Sequence, residues 1–173
     1  LIRVLVANQN EVSFRADGNI PLIVKGLYRK QKKFKYIKIR SNSGKLQVAS
    51  NFSKSIWDTL PPSFYLKIRS KDSRGIWLGK RRFRGELRVY LNGKKIRVVN
   101  YIRVEKYLPS VVGSEMPKDW PIEALKAQSI ASRTYVLKKL TKKPFFDIKS
   151  NELNQVYLGI EAETRQNKRA VRN

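Results

Sequence analysis

The first hundred residues alternate apolar and polar positions. Residues 1–7 (L-I-R-V-L-V-A) and 11–15 (E-V-S-F-R) put an apolar side chain at nearly every second position, the period of a strand with one face in a core. Asn8-Gln9-Asn10 reads as the turn between them and Asp17-Gly18-Asn19 as a hairpin. Pro21 predicts that the strand 22–24 lies at a sheet edge. The alternation resumes in 34–39 and 45–49 around Asn42-Ser43-Gly44, then in 64–68, 75–78, 83–91 and 95–103. Asn92-Gly93 between the last two is a type I′ hairpin signal. Residues 51–60 read as a short helical or irregular connection ended by Pro61-Pro62.

After residue 103 the period changes. Val104, Leu108, Val111 and Glu115 recur at helical spacing on one face, so a carboxylate continues an apolar stripe. Loss of solvation favours the neutral carboxyl, the form a general acid needs, which makes Glu115 a candidate acid. On spacing alone, a glutamate in solvent at a fraying helix end stays open as the plainer reading. A second helix is predicted from Ile122 to about Leu140, with Asp119 or Trp120 as cap, Pro121 in the first turn and Glu123 as helix-start charge. One of its faces carries the small or short residues Ala124, Ala127, Gln128 and Ala131, and another carries Lys126 and Arg133 with Ile130 between them. Lys142-Lys143-Pro144 breaks the helix and residues 145–148 resume a strand-like run. Residues 161–171 read as a mixed-charge, solvated segment that could be helical. The fold class predicted is α+β: an antiparallel β-rich N-terminal half, then a mainly helical half whose junction presents Glu115.

Composition narrows the chemistry. The 173 residues hold 41% hydrophobic side chains, too many for a disordered chain. Lys plus Arg number 38 against 13 Asp plus Glu, a net charge of +25 that attracts polyanions: nucleic acid, wall polymers, anionic headgroups or peptidoglycan stem carboxylates. With no cysteine or histidine, disulfides, thiol catalysis, imidazole chemistry and a zinc site of the usual nitrogen and sulfur ligands are all excluded. No run of eighteen apolar residues occurs, so no membrane-spanning segment is predicted. The chain starts at Leu1 rather than methionine, a beginning consistent with export and with a targeting segment already removed, though it does not by itself show either. Basic residues crowd with Tyr28, Phe34 and Tyr36 across 25–40, and the alternation there favours a half-buried strand pair over a nucleic-acid or glycan platform. Trp57 and Trp77 read as core or rim aromatics; Trp120, beside Glu115, is the better candidate for stacking on a sugar.

Three ordered blocks carry a family resemblance: Y-L-P-S-V-V-G-S-E-M-P (107–117), W-P-I-E-A-L-K-A-Q-S-I-A-S-R-T-Y (120–135) and Q-V-Y-L-G (155–159), with the lead-ins G-E-L-R-V-Y (85–90) and V-V-N-Y-I-R-V-E-K-Y (98–107). Their order and spacing resemble the SpoIID family, stage II sporulation protein D and the LytB-type amidase enhancers. The resemblance is close over 82–171. It divides the chain into a β-rich region, 1–80, and a SpoIID-like catalytic region, 81–173. The family pattern would continue past Asn173 into a Thr-x-Gly turn and a glycine-rich segment, so the catalytic region is expected to be truncated.

The resemblance implies a lytic transglycosylase of peptidoglycan glycan strands in the periplasmic or extracytoplasmic space, with Glu115 as its acid/base. Arg133, Lys126, Gln128, Gln155 and Tyr157 match motif positions that would line a substrate cleft. No metal or other cofactor is expected, since the Cys and His residues that hold a metal in some members are missing here. One carboxyl suffices for such a reaction, whereas an ordinary glycosidase needs two; a second carboxylate from Asp119, Glu123, Asp147 or Glu152 would convert the reading to hydrolysis. The alternative from a different class is a non-catalytic, LytB-like enhancer that binds wall glycan and stimulates a separate amidase or other hydrolase. A nucleic-acid-binding module rests on charge alone, and the three blocks argue against it.

Overall fold

The computed structural model describes residues 1–27, 30–50, 57–61, 65–140 and 145–172. The strands before the first helix are β1 (Ile2–Gln9), β2 (Glu11–Ala16), β3 (Leu22–Leu27), β4 (Lys30–Phe34), β5 (Tyr36–Asn42), β6 (Lys45–Ala49), β7 (Asp58–Thr59), β8 (Leu66–Arg69), β9 (Ile76–Leu78), β10 (Arg81–Phe83), β11 (Glu86–Asn92) and β12 (Lys95–Ile102). Helices α1 (Val104–Glu115) and α2 (Ile122–Lys139), the short strand β13 (Ile148–Lys149) and helix α3 (Arg165–Arg172) follow. The class is α+β, and among the described residues the helices lie in the C-terminal half.

The strands form two sheets, ordered β13-β1-β12-β11-β8-β3-β4 and β10-β9-β2-β5-β6-β7. Every pairing is antiparallel except β1 with β13. Alternate residues of both sheets, among them Ile2, Val4, Phe14, Ile37, Ile39, Leu66, Ile68, Val89 and Val98, share one core with Leu108, Val111 and Val112 of α1 and Val136 of α2. Residue 80, where the resemblance divides the chain, is not a gap in space, because strands from both sides of it share each sheet.

Several local expectations are corrected. Asp17-Gly18-Asn19 does not close a hairpin, since β2 and β3 lie in different sheets and the stretch is the crossing between them. Strand β3 is interior, between β8 and β4; Pro21 sits just before its first residue, where a missing N–H costs no ladder bond. The run 34–39 is split at Lys35, with Phe34 ending β4 in one sheet and Tyr36 opening β5 in the other. The run 83–91 is likewise broken into β10 and β11. The left-handed pair required by a type I′ turn is Ser43 (φ 49°) and Gly44 (φ 71°), whereas the β11–β12 turn has only Gly93 (φ 61°) there, the pattern of type II′. Tyr28, residues 51–56, Pro62, Phe64 and the break at Lys142-Lys143-Pro144 lie outside the described residues.

Trp57 and Trp77 are rim aromatics that carry arginines. The Arg40 guanidinium lies 3.9 Å from the Trp57 ring centroid, and Arg15 and Arg82 lie 4.9 and 5.0 Å from that of Trp77. The Trp77 indole donates to Asp17 at 2.6 Å. Residues 161–171 are not a solvated segment: Asn167, Ala170 and Val171 are buried, and α3 packs on both α1 and α2. Its start is closed by a reciprocal box in which Thr164 N–H donates to Asn167 Oδ1 (2.8 Å) and Asn167 N–H donates to Thr164 Oγ1 (3.1 Å).

Candidate active site

Strand β12 hands the chain directly to α1, so the core that fixes the strand also fixes the helix. Val104, Leu108 and Val111 take the inward face as their spacing predicts, joined by Tyr107 and Val112. Glu115 is the last residue of this helix, partly buried, with Met116 beside it on the core. Gly113 lets the following segment close in: a Cβ there would stand 1.9 Å from the Ala162 carbonyl oxygen.

The block 155–159 runs along α1 with an isolated parallel bridge from Gln155 to Ser150 at its start, and α1 side chains satisfy part of its backbone. Val156 N–H donates to Glu115 Oε1 at 3.2 Å, Leu158 N–H to Ser114 Oγ at 3.3 Å and Gly159 N–H to Ser110 Oγ at 3.0 Å. Tyr157 N–H turns the other way, to Ser150 Oγ at 3.1 Å. This is where the block's amides go, and each would otherwise be an unpaired polar group against the core.

Two donors hold the Glu115 carboxylate. Val156 N–H takes one oxygen, and Gln128 Nε2 from α2 donates to Oε2 at 2.8 Å. Burial pushes the Glu115 pKa up from the ordinary glutamate value of 4.5, while the bonds from Val156 and Gln128 pull it part of the way back. Its place at the negative end of α1 adds to the upward push. The group is therefore biased toward the protonated form, yet its anion has two fixed donors. A carboxyl that must give a proton and recover it needs that combination.

The sequence candidates fall into three places. Gln128 and Gln155 belong to the framework of Glu115: Gln128 also donates to Ser132 Oγ (3.3 Å), while Gln155 accepts from Tyr107 Oη (3.1 Å) and donates to the Ser132 carbonyl (3.1 Å), joining α1 to α2. Tyr157 lies beneath, fully buried, its hydroxyl donating to Asn100 Oδ1 at 2.9 Å and its ring tilted against Tyr107 (4.8 Å) and Phe83 (5.4 Å). Burial drives the Tyr107 and Tyr157 phenols far above their ordinary range, so both stay neutral. Trp120 is 47% exposed in the turn after α1, its carbonyl accepting from Gln166 at 3.3 Å. Lys126 points to Glu123 on its own helix at 3.0 Å. Arg133 is away from Glu115 altogether, gripping Glu105 in the first turn of α1 with two bonds of 2.9 and 2.8 Å and donating to the Val171 carbonyl at 2.9 Å.

Two helix expectations change as well. Pro121 itself is the N-cap of α2, with extended ψ (146°) and no side-chain cap, so neither Asp119 nor Trp120 closes the helix. The buried stripe of α2 is Leu125, Ser129, Ser132 and Val136, while Ala127 and Ala131 face outward. Of the four further carboxylates considered, Asp147 is bound to Arg3 (2.7 Å) and Glu123 to Lys126. Ser110, Ser114, Ser132, Ser150 and Asn100, which build the framework, carry no periodicity signal; serines inside two predicted helices and an asparagine inside a predicted strand were the hint available for all but Ser150. Among the described residues no helix is long and apolar enough to cross a membrane.

A segment of the chain is 47% identical over 68 residues to an uncharacterised protein of Brachyspira hyodysenteriae (strain ATCC 49526 / WA1), a match that covers 37% of this chain and 18% of that protein. The chain thus spans less than a fifth of the length of the curated relative it matches. No solved structure matches the chain significantly. The SpoIID family, described as stage II sporulation protein, matches from residue 92 to residue 173, a range that contains α1, α2, the block 155–159 and α3. Residues 92–173, just under half of the chain, are similar to the SpoIID family.

Proposed function

We propose that the chain is a peptidoglycan lytic transglycosylase in which Glu115 serves as both acid and base. Similarity to the SpoIID family supports a sporulation- or cell-wall-related role. The observation that carries the finer reading is Glu115 itself: a partly buried carboxyl whose pKa is raised by burial and whose anion is met by Gln128 and the Val156 amide.

The reaction uses one carboxyl. Protonated Glu115 gives its proton to the oxygen that joins C1 of N-acetylmuramic acid to O4 of N-acetylglucosamine, and the C1–O bond breaks. The N-acetylglucosamine leaves with its 4-hydroxyl, and positive charge builds at C1 and the ring oxygen. Glu115, now an anion steadied by its two donors, takes the proton of the muramic 6-hydroxyl as O6 bonds to C1. A 1,6-anhydro ring closes, Glu115 is again protonated, and no water is consumed. The nucleophile is tethered to the substrate, so little entropy is lost in assembling the step. A hydrolase would need a second carboxyl across the scissile bond to activate water or act as nucleophile, whereas this route needs Glu115 alone.

The test is mass spectrometry of purified glycan strands, with and without stem peptides, after incubation with the chain and with Glu115→Gln. Anhydro-ended products from the native chain alone are expected. Reducing-end products would establish hydrolysis instead, and equal products from both proteins would remove Glu115 from the chemistry.

A further inference from the structure

The outward face of the seven-stranded sheet takes no part in the Glu115 site, yet it is organised. Register shows which side chains share it: Arg88 on β11 lies opposite Lys67 on β8, and Lys67 opposite Lys25 on β3, a row of cations across three strands. Arg97 flanks the row on one side, opposite Tyr90, and Arg69 on the other, opposite Ile23. The acids on this face are already paired, Glu86 with Arg69 and Arg88, and Asp147 with Arg3.

Aromatic rings hold these cations in place. The Arg88 guanidinium lies 3.8 Å from the Tyr101 ring centroid, Arg97 lies 4.9 Å from that of Phe145, and the Lys67 ammonium lies 5.5 Å from that of Tyr65. The rings brace one another: Tyr65 stacks on Tyr90 at 5.3 Å, Phe145 meets Tyr90 edge-on at 5.9 Å, and the Tyr90 and Tyr101 hydroxyls are 3.1 Å apart. Stacking on a ring leaves a guanidinium's in-plane N–H groups free to donate, and in Arg88 one of them, Nε, is already given to Glu86, which leaves Lys25 and Lys67 as the row's cations with no acid partner among the described ion pairs. Arg97 packs its guanidinium against Phe145, and its Nε is buried there with no hydrogen-bond partner among the described residues. The face is reachable, with Arg69 55%, Phe145 43% and Tyr65 39% exposed.

We propose that this sheet face binds an anionic glycan, a carbohydrate polymer bearing carboxylate or phosphate groups, and so holds the chain on its wall substrate; the carbohydrate part of this assignment rests on the proposed function. Single-stranded nucleic acid fits less well, because it needs free aromatic faces for its bases and these rings are engaged with cations and with each other. An anionic membrane fits less well too, because Tyr65 and Phe145, the exposed rings here among the described residues, are packed against Tyr90 and against cations rather than standing clear of the sheet to insert.

Binding of the full chain to polygalacturonate and to phosphomannan, read by titration calorimetry at low and physiological salt, tests this. Lys25→Glu with Lys67→Glu is expected to lose at least tenfold in affinity for one or both polymers. Lys45→Glu with Lys80→Glu, a pair of the same net charge placed in the other sheet and the β9–β10 turn, is expected to lose less than threefold. Equal losses by the two pairs would overturn the proposal in favour of net charge alone. So would tighter binding through Lys25 and Lys67 to oligothymidylate or to phosphatidylglycerol vesicles than to either polymer. Lys25→Gln with Lys67→Gln, with circular dichroism of every variant, keeps the comparison valid if the charge reversals fail to fold. Glu115→Gln is expected to bind as the native chain does, so loss of anhydro products with retained binding, or the reverse, tells the two proposals apart.

Discussion

Helix α1 carries a glutamate near each end, and the two have opposite electrostatics. Glu105, in the first turn, is largely exposed, sits at the positive end of the helix dipole and is gripped by both arms of Arg133, whose hydrogen bonds hold its pKa below 4.5. Glu115, ten residues on and therefore about 15 Å along the axis, sits at the negative end, partly buried, and meets only uncharged donors. The same side chain on the same helix is a strut at one end and, in the reaction proposed above, the proton carrier at the other. Residue type alone does not set the protonation bias of a glutamate; burial, with no cation paired to Glu115 among the described residues, raises its pKa where Arg133 lowers that of Glu105.

Chemistry should separate the two ends most sharply. Glu115→Gln is expected to lower the rate of anhydro-product formation by about 10²–10⁴-fold, the usual worth of a positioned general acid, while Glu105→Gln keeps it within a few-fold. Comparable losses from both would mean that the helix, and not the group, is what matters. Arg133→Met comes next in size. It should lower unfolding free energy by about 1 kcal/mol, the scale of a partly exposed ion pair with an added hydrogen bond, with product formation changed less than about threefold. A loss of activity above tenfold at unchanged stability, read from urea unfolding and product assays on one preparation, would return Arg133 to the substrate side.

The roles of these residues were unequally legible in the sequence. The stripe Val104, Leu108, Val111 predicts the buried face of α1 because helical period is a local property, and so Glu115 could be singled out. Gln128 and Gln155 came from the resemblance, and what they hold depends on a contact between α1, α2 and residues 155–159 that no local pattern encodes. Lys126 and Arg133 fall on one helical face, but their partners, Glu123 on the same helix and Glu105 twenty-eight residues earlier, were fixed by side-chain reach and by helix packing respectively. The strands were found because alternation is local. Which sheet each joined was not, because Asp17-Gly18-Asn19 and Lys35 act as crossings only once a second sheet exists to receive the chain.

A subtler change tests the donors of Glu115. Gln128 pulls the Glu115 pKa down by donating to its anion, so Gln128→Leu removes that pull and lets the carboxyl stay protonated to higher pH. The alkaline limb of the pH–rate profile, where a general acid is lost by ionisation, should move to higher pH relative to the native chain. A limb that stays still would mean that another group sets it, and a limb that moves down would mean that Gln128 favours the neutral form.

The smallest effect is the most direct comparison of the two ends, because it needs no substrate. Glu105 has its folded pKa lowered, so its contribution to stability is present above 4.5 and is lost as pH falls through the lowered value. Glu115 has its folded pKa raised, so its contribution is present below 4.5 and is lost as pH rises through the raised value. Urea midpoints measured across both windows should therefore give difference curves of opposite use. The native chain should exceed Glu105→Gln above 4.5 and lose that advantage in acid, whereas Glu115→Gln should gain on the native chain as pH climbs above 4.5. Both effects are limited by exposure, Glu105 more than Glu115, so the directions carry the test. If the Glu115→Gln gain is absent, the native anion is as comfortable as a neutral amide in its place, and burial at the end of α1 is not holding the carboxyl in its acid form.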